Sequence, residues 1–175
     1  MPKPVLTLHH LKATLLYRPL TGEFIWAVAV TNYEAGDEAG VVYCSGYSNI
    51  RIDKRTYLAH RLAWFYTTGA WPVKDLDHID GNRLNNAFHN LREATPLQNA
   101  ANRNLAVGGQ RSHTWVMELP SGQYMATIKY KGELRFLGEA PSFEGAVELY
   151  QAAHIALHGD YSVYRRAFMT SNCAD

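Results

Sequence analysis

The feature that most constrains this 175-residue chain is the segment from Asp75 to Asn104, DLDHIDGNRLNNAFHNLREATPLQNAANRN. Asparagine stands at positions 82, 85, 86, 90, 99, 102 and 104, behind an Asp-His pair. Leu76-Asp77-His78-Ile79 reads as the end of a short strand, and Asp80-Gly81 as a turn into a loop over 82–89. Asn90-Leu91-Arg92-Glu93 is the length of a returning strand. Thr95-Pro96-Leu97-Gln98 then combines three helix-start signals: a threonine N-cap, proline at the first helical position and a glutamine that completes a capping box. The order strand, loop, strand, helix follows.

That order is expected to bring the end of one strand against the first turn of a helix, so that Asp77 faces Asn99. A carboxylate opposite an amide carbonyl makes a two-oxygen cradle for a hard cation such as Mg²⁺ or Mn²⁺. His78 is a neutral base near physiological pH that can deprotonate a water. Asn90, on the returning strand, is placed to fix the orientation of such a histidine.

Around this segment the pattern predicts mixed α and β structure. Thr7 caps a helix to about Tyr17, and the turn at 18–22 feeds a strand over Glu23–Val30. Further β segments are expected at Gly40–Tyr43, Tyr47–Ile52 and Thr56–Leu58, then a helix from His60 to about Thr68 that Gly69 ends. After the central segment comes a polar connector with Gly108-Gly109. Three strands follow at Thr114–Leu119, Gln123–Tyr130 and Glu133–Leu137, and Ser142 caps a last helix to about His158. The expected fold class is α+β. Residues 1–104 hold the helix/β region and the central strand–loop–strand–helix unit, with 105–113 a linker, 114–164 a three-strand-plus-helix module and 165–175 a tail.

Composition narrows the classes. With 47% hydrophobic and 19% charged residues the chain is globular rather than disordered. The longest apolar run, Phe24–Val30, is far short of the roughly 18 residues of a membrane span, and no signal-peptide pattern is present. Cys44 and Cys173 have no CxxC spacing, so neither a zinc ribbon nor a disulfide framework is expected, and a reducing, cytoplasmic setting fits best. Residues 1–111 carry twelve Lys/Arg against nine Asp/Glu, and 112–175 five against seven. That is a weaker basic excess than most DNA-binding domains show.

The central segment closely resembles the HNH nuclease signature in its His-Asn-Asn variant: DH, eleven residues, Asn90, eight residues, Asn99, with a DGN turn and N-x-x-x-N-L before the second strand. Upstream, LTLHHLKATLLYRPLTGEFIW, AGDEAG, GYSNIRIDKRTYLAHRLAW and TGAWP resemble the N-terminal part of phage-type HNH endonucleases of the homing type. The resemblance implies a ββα-metal fold and hydrolysis of DNA phosphodiester bonds, double-stranded DNA being the expected partner. It implies His78 as general base, Asp77 and Asn99 holding one divalent metal, Asn90 positioning the histidine, and products with 5′-phosphate and 3′-hydroxyl ends. For a phage-encoded chain the compartment is the bacterial host cytoplasm. Farther on, SGQYMATI and LGEAPSFEGAVELYQAAHIALHG are similar to the DNA-binding module of plant ethylene-response factors. That likeness implies an exposed sheet face, with Thr127, Lys129 and Lys131 outward and Tyr124, Ala126, Ile128 and Tyr130 toward the helix.

Arg61, Arg83, Arg92 and Arg103 flank the central segment and are candidates for phosphate contact, as are Lys129, Lys131 and Arg135 in the C-terminal module. For Arg61 a structural ion pair is an open alternative. His60 is expected to be packed and hydrogen-bonded, and Asn82, Asn85 and Asn86 are given loop roles. Two rival functions stay open: a non-catalytic DNA-binding protein on the same scaffold, and a nuclease for RNA or structured DNA.

Overall fold

The structure is a computed structural model that describes residues 6–102 and 115–165. The expected linker and Arg103 lie outside the described residues. The chain divides into two compact units, 1–96 and 97–175.

The first unit opens with α1 (Leu8–Thr14), capped by the Thr7 hydroxyl, which accepts from His10 N–H at 3.2 Å. The helix stops three residues short of the sequence expectation. Leu15 is extended, at φ −129° and ψ 143°, and begins β1 (Leu15–Tyr17). The cause is in the packing. Leu15 and Tyr17 are buried and Leu16 is exposed, a period of two, and they pair antiparallel with β2 (Phe24–Trp26), Leu15 opposite Trp26. Thr14, whose hydroxyl bonds back to the His10 carbonyl, closes the last helical turn.

β3 (Val41–Val42), β4 (Ser48–Ile52) and β5 (Arg55–Leu58) form an antiparallel sheet. It leads directly into α2 (Ala59–Thr68), which ends at Gly69 in the left-handed region (φ 77°), as its position after the last apolar residue predicts. The core joins Leu11 and Leu15, Phe24 and Trp26, Ile50 and Ile52, and Leu62, Ala63 and Phe65 of α2. Leu91 reaches the same core from β7 (Leu91–Ala94), which pairs antiparallel with β6 (Asp75–His78). The short strand pair is therefore anchored on the main core through the residue that follows Asn90.

α3 (Pro96–Ala101) follows β7 across the boundary between the units, so the β6–β7–α3 order expected from the sequence is present. β8 (Val116–Glu118), β9 (Tyr124–Tyr130) and β10 (Glu133–Ala140) form an antiparallel sheet with β9 in the middle, and α4 (Phe143–His158) follows, capped by Ser142. Ala126 and Ile128 are buried, and Tyr124 and Tyr130 meet Phe143 and His158 of α4 edge-on. The expected inward set is thus the observed one. Mixed helices and small sheets make the chain α+β.

Candidate active site

β6 and β7 pair in a register that sets Asp77 opposite Arg92 and His78 opposite Leu91. Residues directly opposite share a face, so the register alone brings a carboxylate and a guanidinium together. Arg92 Nε donates to Asp77 Oδ2 at 2.9 Å. Its Nη2 lies 2.8 Å from the same oxygen without hydrogen-bond alignment, so that second contact is electrostatic. Both groups are largely removed from water, Asp77 at 5% exposure. Arg92, a candidate for phosphate contact by sequence, is turned inward onto this carboxylate.

His78 is 4% exposed. Its Nε2 stands 3.2 Å from Asn86 Oδ1, and its ring packs edge-on against His60 with centroids 5.1 Å apart. Tyr47 completes an aromatic wall, 5.2 Å from His60 and 6.1 Å from His78. Burial pulls the His78 pKa below its usual value. The Asn86 bond and the Asp80 and Asp77 charges work the other way, and Arg83 adds to the depression. His60 is pushed down further, to about 3, by burial first and then by His78 and Arg61. Both rings are therefore neutral near pH 7, the form in which a histidine accepts a proton.

Asn90 occupies a different position from the one expected of a direct orienter. Its amide donates to Asp80 Oδ1 at 2.9 Å and to the Asn85 carbonyl at 2.8 Å, and its Oδ1 accepts from Asp80 N–H at 3.0 Å. Its own carbonyl accepts from Ile79 N–H at 2.8 Å. Asp80 gathers the rest of the loop, taking bonds from Asn82 N–H and from the Asn85 amide. Burial raises the Asp80 pKa, but these Asn85, Asn90 and Asn82 donors outweigh it and hold the carboxyl below its usual range. Asn90 thus braces the loop, and Asn86 on that loop contacts His78. Sequence reasoning gave Asn86 only a loop role, although it is the first asparagine of the N-x-x-x-N-L motif.

Asn99 lies mid-way along α3. Asp77 carries a carboxylate and Asn99 an amide carbonyl, each the oxygen chemistry that a hard divalent cation takes. Among the described residues no group of three or more His, Cys, Asp or Glu gathers as a metal cluster.

The basic candidates are dispersed. Arg61, in the first turn of α2, lines a cleft of about 390 Å³ with Lys74, Asp75 and Thr95. Arg83 stacks over Tyr47 at 4.9 Å and donates to the Ser45 carbonyl at 2.8 Å. In the second unit, Lys129 pairs with Leu134 and Arg135 with Ile128, so Lys129 and Arg135 point to opposite faces of the sheet. Lys131 sits in the β9–β10 turn at φ 52°, and its ammonium and the Arg135 guanidinium both approach the Tyr130 ring.

The strand pair carries a buried histidine bonded to the Asn86 amide, next in sequence to a carboxylate held by Arg92. Residues 57–101 match the family model of the HNH endonucleases. The chain is also 31% identical over 87 residues to an uncharacterized HNH endonuclease of Acanthamoeba polyphaga mimivirus, a match covering 50% of this chain and 44% of that protein. The chain thus spans less than half of that relative's length. A solved structure of DNA binding and cleavage by the HNH homing endonuclease I-HmuI is similar at 22% identity and a TM-score of 0.42, over 82% of this chain and 80% of that one. Among the described residues no helix is long and apolar enough to cross a membrane.

Proposed function

We propose that the chain is a metal-dependent, homing-endonuclease-like DNA endonuclease that hydrolyses phosphodiester bonds. The observation that carries this reading is His78: buried, neutral, bonded to Asn86, and adjacent in sequence to the Asp77 carboxylate. His78 takes the proton of a water that attacks phosphorus. Asp77 and Asn99 would hold one Mg²⁺ or Mn²⁺. The chemistry such an ion supplies is neutralisation of charge on the scissile phosphate and on the departing 3′ oxygen.

The remaining residues position and contact the substrate. Asn90 fixes the Asp80–Asn86 loop, and Arg92 balances the buried Asp77 charge. Arg61, Arg83 and Arg103 contact backbone phosphates of double-stranded DNA. Lys129, Lys131 and Arg135 add contacts from a C-terminal DNA-binding module resembling that of ethylene-response factors. Functionally the chain divides into a nuclease part to residue 104, a linker over 105–113 and that module over 114–164. It acts in the cytoplasm.

The test is supercoiled plasmid and phage genomic DNA incubated with wild type or His78→Ala, in Mg²⁺, Mn²⁺ or EDTA. Metal-dependent breaks in wild type that fall by roughly 10²–10⁴-fold in the variant, the usual contribution of a general base, are expected. Cleavage by His78→Ala at the wild-type rate would remove the base assignment. DNA binding that ignores EDTA, with no breaks on any substrate, would replace the nuclease with a DNA-binding scaffold.

A further inference from the structure

We infer that Arg92 keeps a divalent ion off the Asp77 carboxylate until a substrate phosphate is present. The inference rests on Asp77 being a ligand of the ion in the proposed reaction, and it names what regulates loading of that site. The register of β6 and β7 sets Arg92 directly opposite Asp77, so both side chains leave the same face of the strand pair. Arg92 Nε donates to Asp77 Oδ2 at 2.9 Å, and Nη2 lies 2.8 Å from the same oxygen. The Asp77 side chain is 5% exposed and that of Arg92 16%. The guanidinium is therefore a built-in countercharge, held there by strand pairing.

Two effects of that countercharge oppose an incoming ion. Asp77 and Arg92 sum to zero, so a divalent cation meets a neutral pair instead of an anion. Its repulsion from the guanidinium is weakened little by solvent or salt at a site so far removed from water. Asp77 Oδ2 is also engaged in a short, charge-assisted bond that the ion must share or displace. Asp80 is no substitute ligand, since it accepts from Asn82 N–H and from the Asn85 and Asn90 amides and is committed to holding its loop. A phosphodiester changes the balance. Its negative charge attracts the ion and the guanidinium alike, so the ion that the free protein rejects is retained once DNA is bound. By linkage the ion strengthens DNA binding by the same factor. Arg92 acts through Asp77, as a positioning residue.

The experiment uses the full chain carrying His78→Ala as parent, so that DNA stays intact, and titrates it with Mn²⁺ by calorimetry in the absence of DNA. Adding Arg92→Gln, which keeps a donor for Oδ2 and removes the charge, should tighten Mn²⁺ binding roughly ten-fold or more. Arg92→Lys, which keeps the charge, should bind Mn²⁺ like the parent. A merely structural loss would not raise affinity. Labelled fragments of phage genomic DNA, followed by fluorescence anisotropy, should bind the parent at least roughly ten-fold more tightly in Mn²⁺ than in EDTA. Should Arg92→Gln fail to fold, the parent's Arg92 Nε–H resonance carries the test: Mg²⁺ alone should leave it in place, and Mg²⁺ with the fragments should displace it. Equal or weaker Mn²⁺ binding in Arg92→Gln, equal DNA binding in Mn²⁺ and EDTA, or displacement of that resonance by Mg²⁺ alone would overturn the inference. Mn²⁺ binding in Arg92→Gln that survives Asp77→Asn would instead sink the reading of Asp77 as a ligand, an outcome that no Arg92 variant mimics.

Discussion

The two units solve opposite problems. The first buries polar machinery: Asp77, His78, Asn86, Asn90 and His60 are each 5% exposed or less. It can do so because each is bonded or packed, and because a wide core of Leu, Ile, Phe and Trp carries them. The second unit has a core centred on three small residues, Ala126, Ala140 and Ala146, while Met117, Leu134 and Phe136 stand more than half exposed. Apolar burial stabilises by about 25 cal/mol per Å². The first unit can therefore offset a costly buried ion pair, and the second has little to set against a single buried charge.

Removing the counter-charge tests the first half of this contrast hardest. Arg92→Leu leaves the Asp77 carboxylate buried beside an apolar side chain, and the first unit should lose about 4 kcal/mol of stability. Denaturant unfolding followed through the Trp26 and Trp64 environment measures it; a loss under about 1 kcal/mol, the scale of an exposed pair, would mean that the pair is solvated.

Acid probes the second half. His154 bonds to Ser162 at 2.8 Å within a cluster of Tyr150, His158 and Tyr164, and burial first, then His158, pushes its pKa down to about 4. The folded state resists a proton that the unfolded state takes near pH 6.5. Stability is therefore complete above pH 6.5 and falls as pH drops toward 4, by about 1.4 kcal/mol per unit of displaced pKa. Hydrogen exchange across 115–165 at pH 7 and pH 4.5 should show the drop, and His154→Phe should flatten it. A pH-independent exchange pattern would contradict the assignment.

The smallest expected effect is Ala146→Gly, which removes one fully buried methyl and a good helix former from α4 for about 1–2 kcal/mol. Its value lies in the ratio. If a change this slight opens the second unit to proteolysis while the first stays resistant, the difference in reserve is real.

How much of this could be read from residues alone follows the reach of each interaction. The helix start at Pro96, the Gly69 stop and the inward set on β9 are fixed by neighbours within a turn or a strand, and they appear as expected. The end of α1 does not, because Leu15-Leu16-Tyr17 fits a helical and an alternating pattern equally, and only pairing with Phe24–Trp26 decides between them. The link from Asn86 to His78 is less legible still. One asparagine among seven is chosen by Tyr17 and Gly22, which no local pattern connects to it. Arg92 likewise looks like any phosphate-seeking arginine until the β6–β7 register sets it against Asp77.

The buried bond from the Tyr17 hydroxyl to the Asn86 carbonyl also has a place in time. A contact spanning 69 positions must wait for a long loop to close, so it forms late in folding, well after the β6–β7 hairpin can pair on its own. The paired strands can thus exist before Asn86 is held. A chain still emerging or only partly folded carries every residue of the candidate site, yet brings Asn86 to its place only when its first unit is whole.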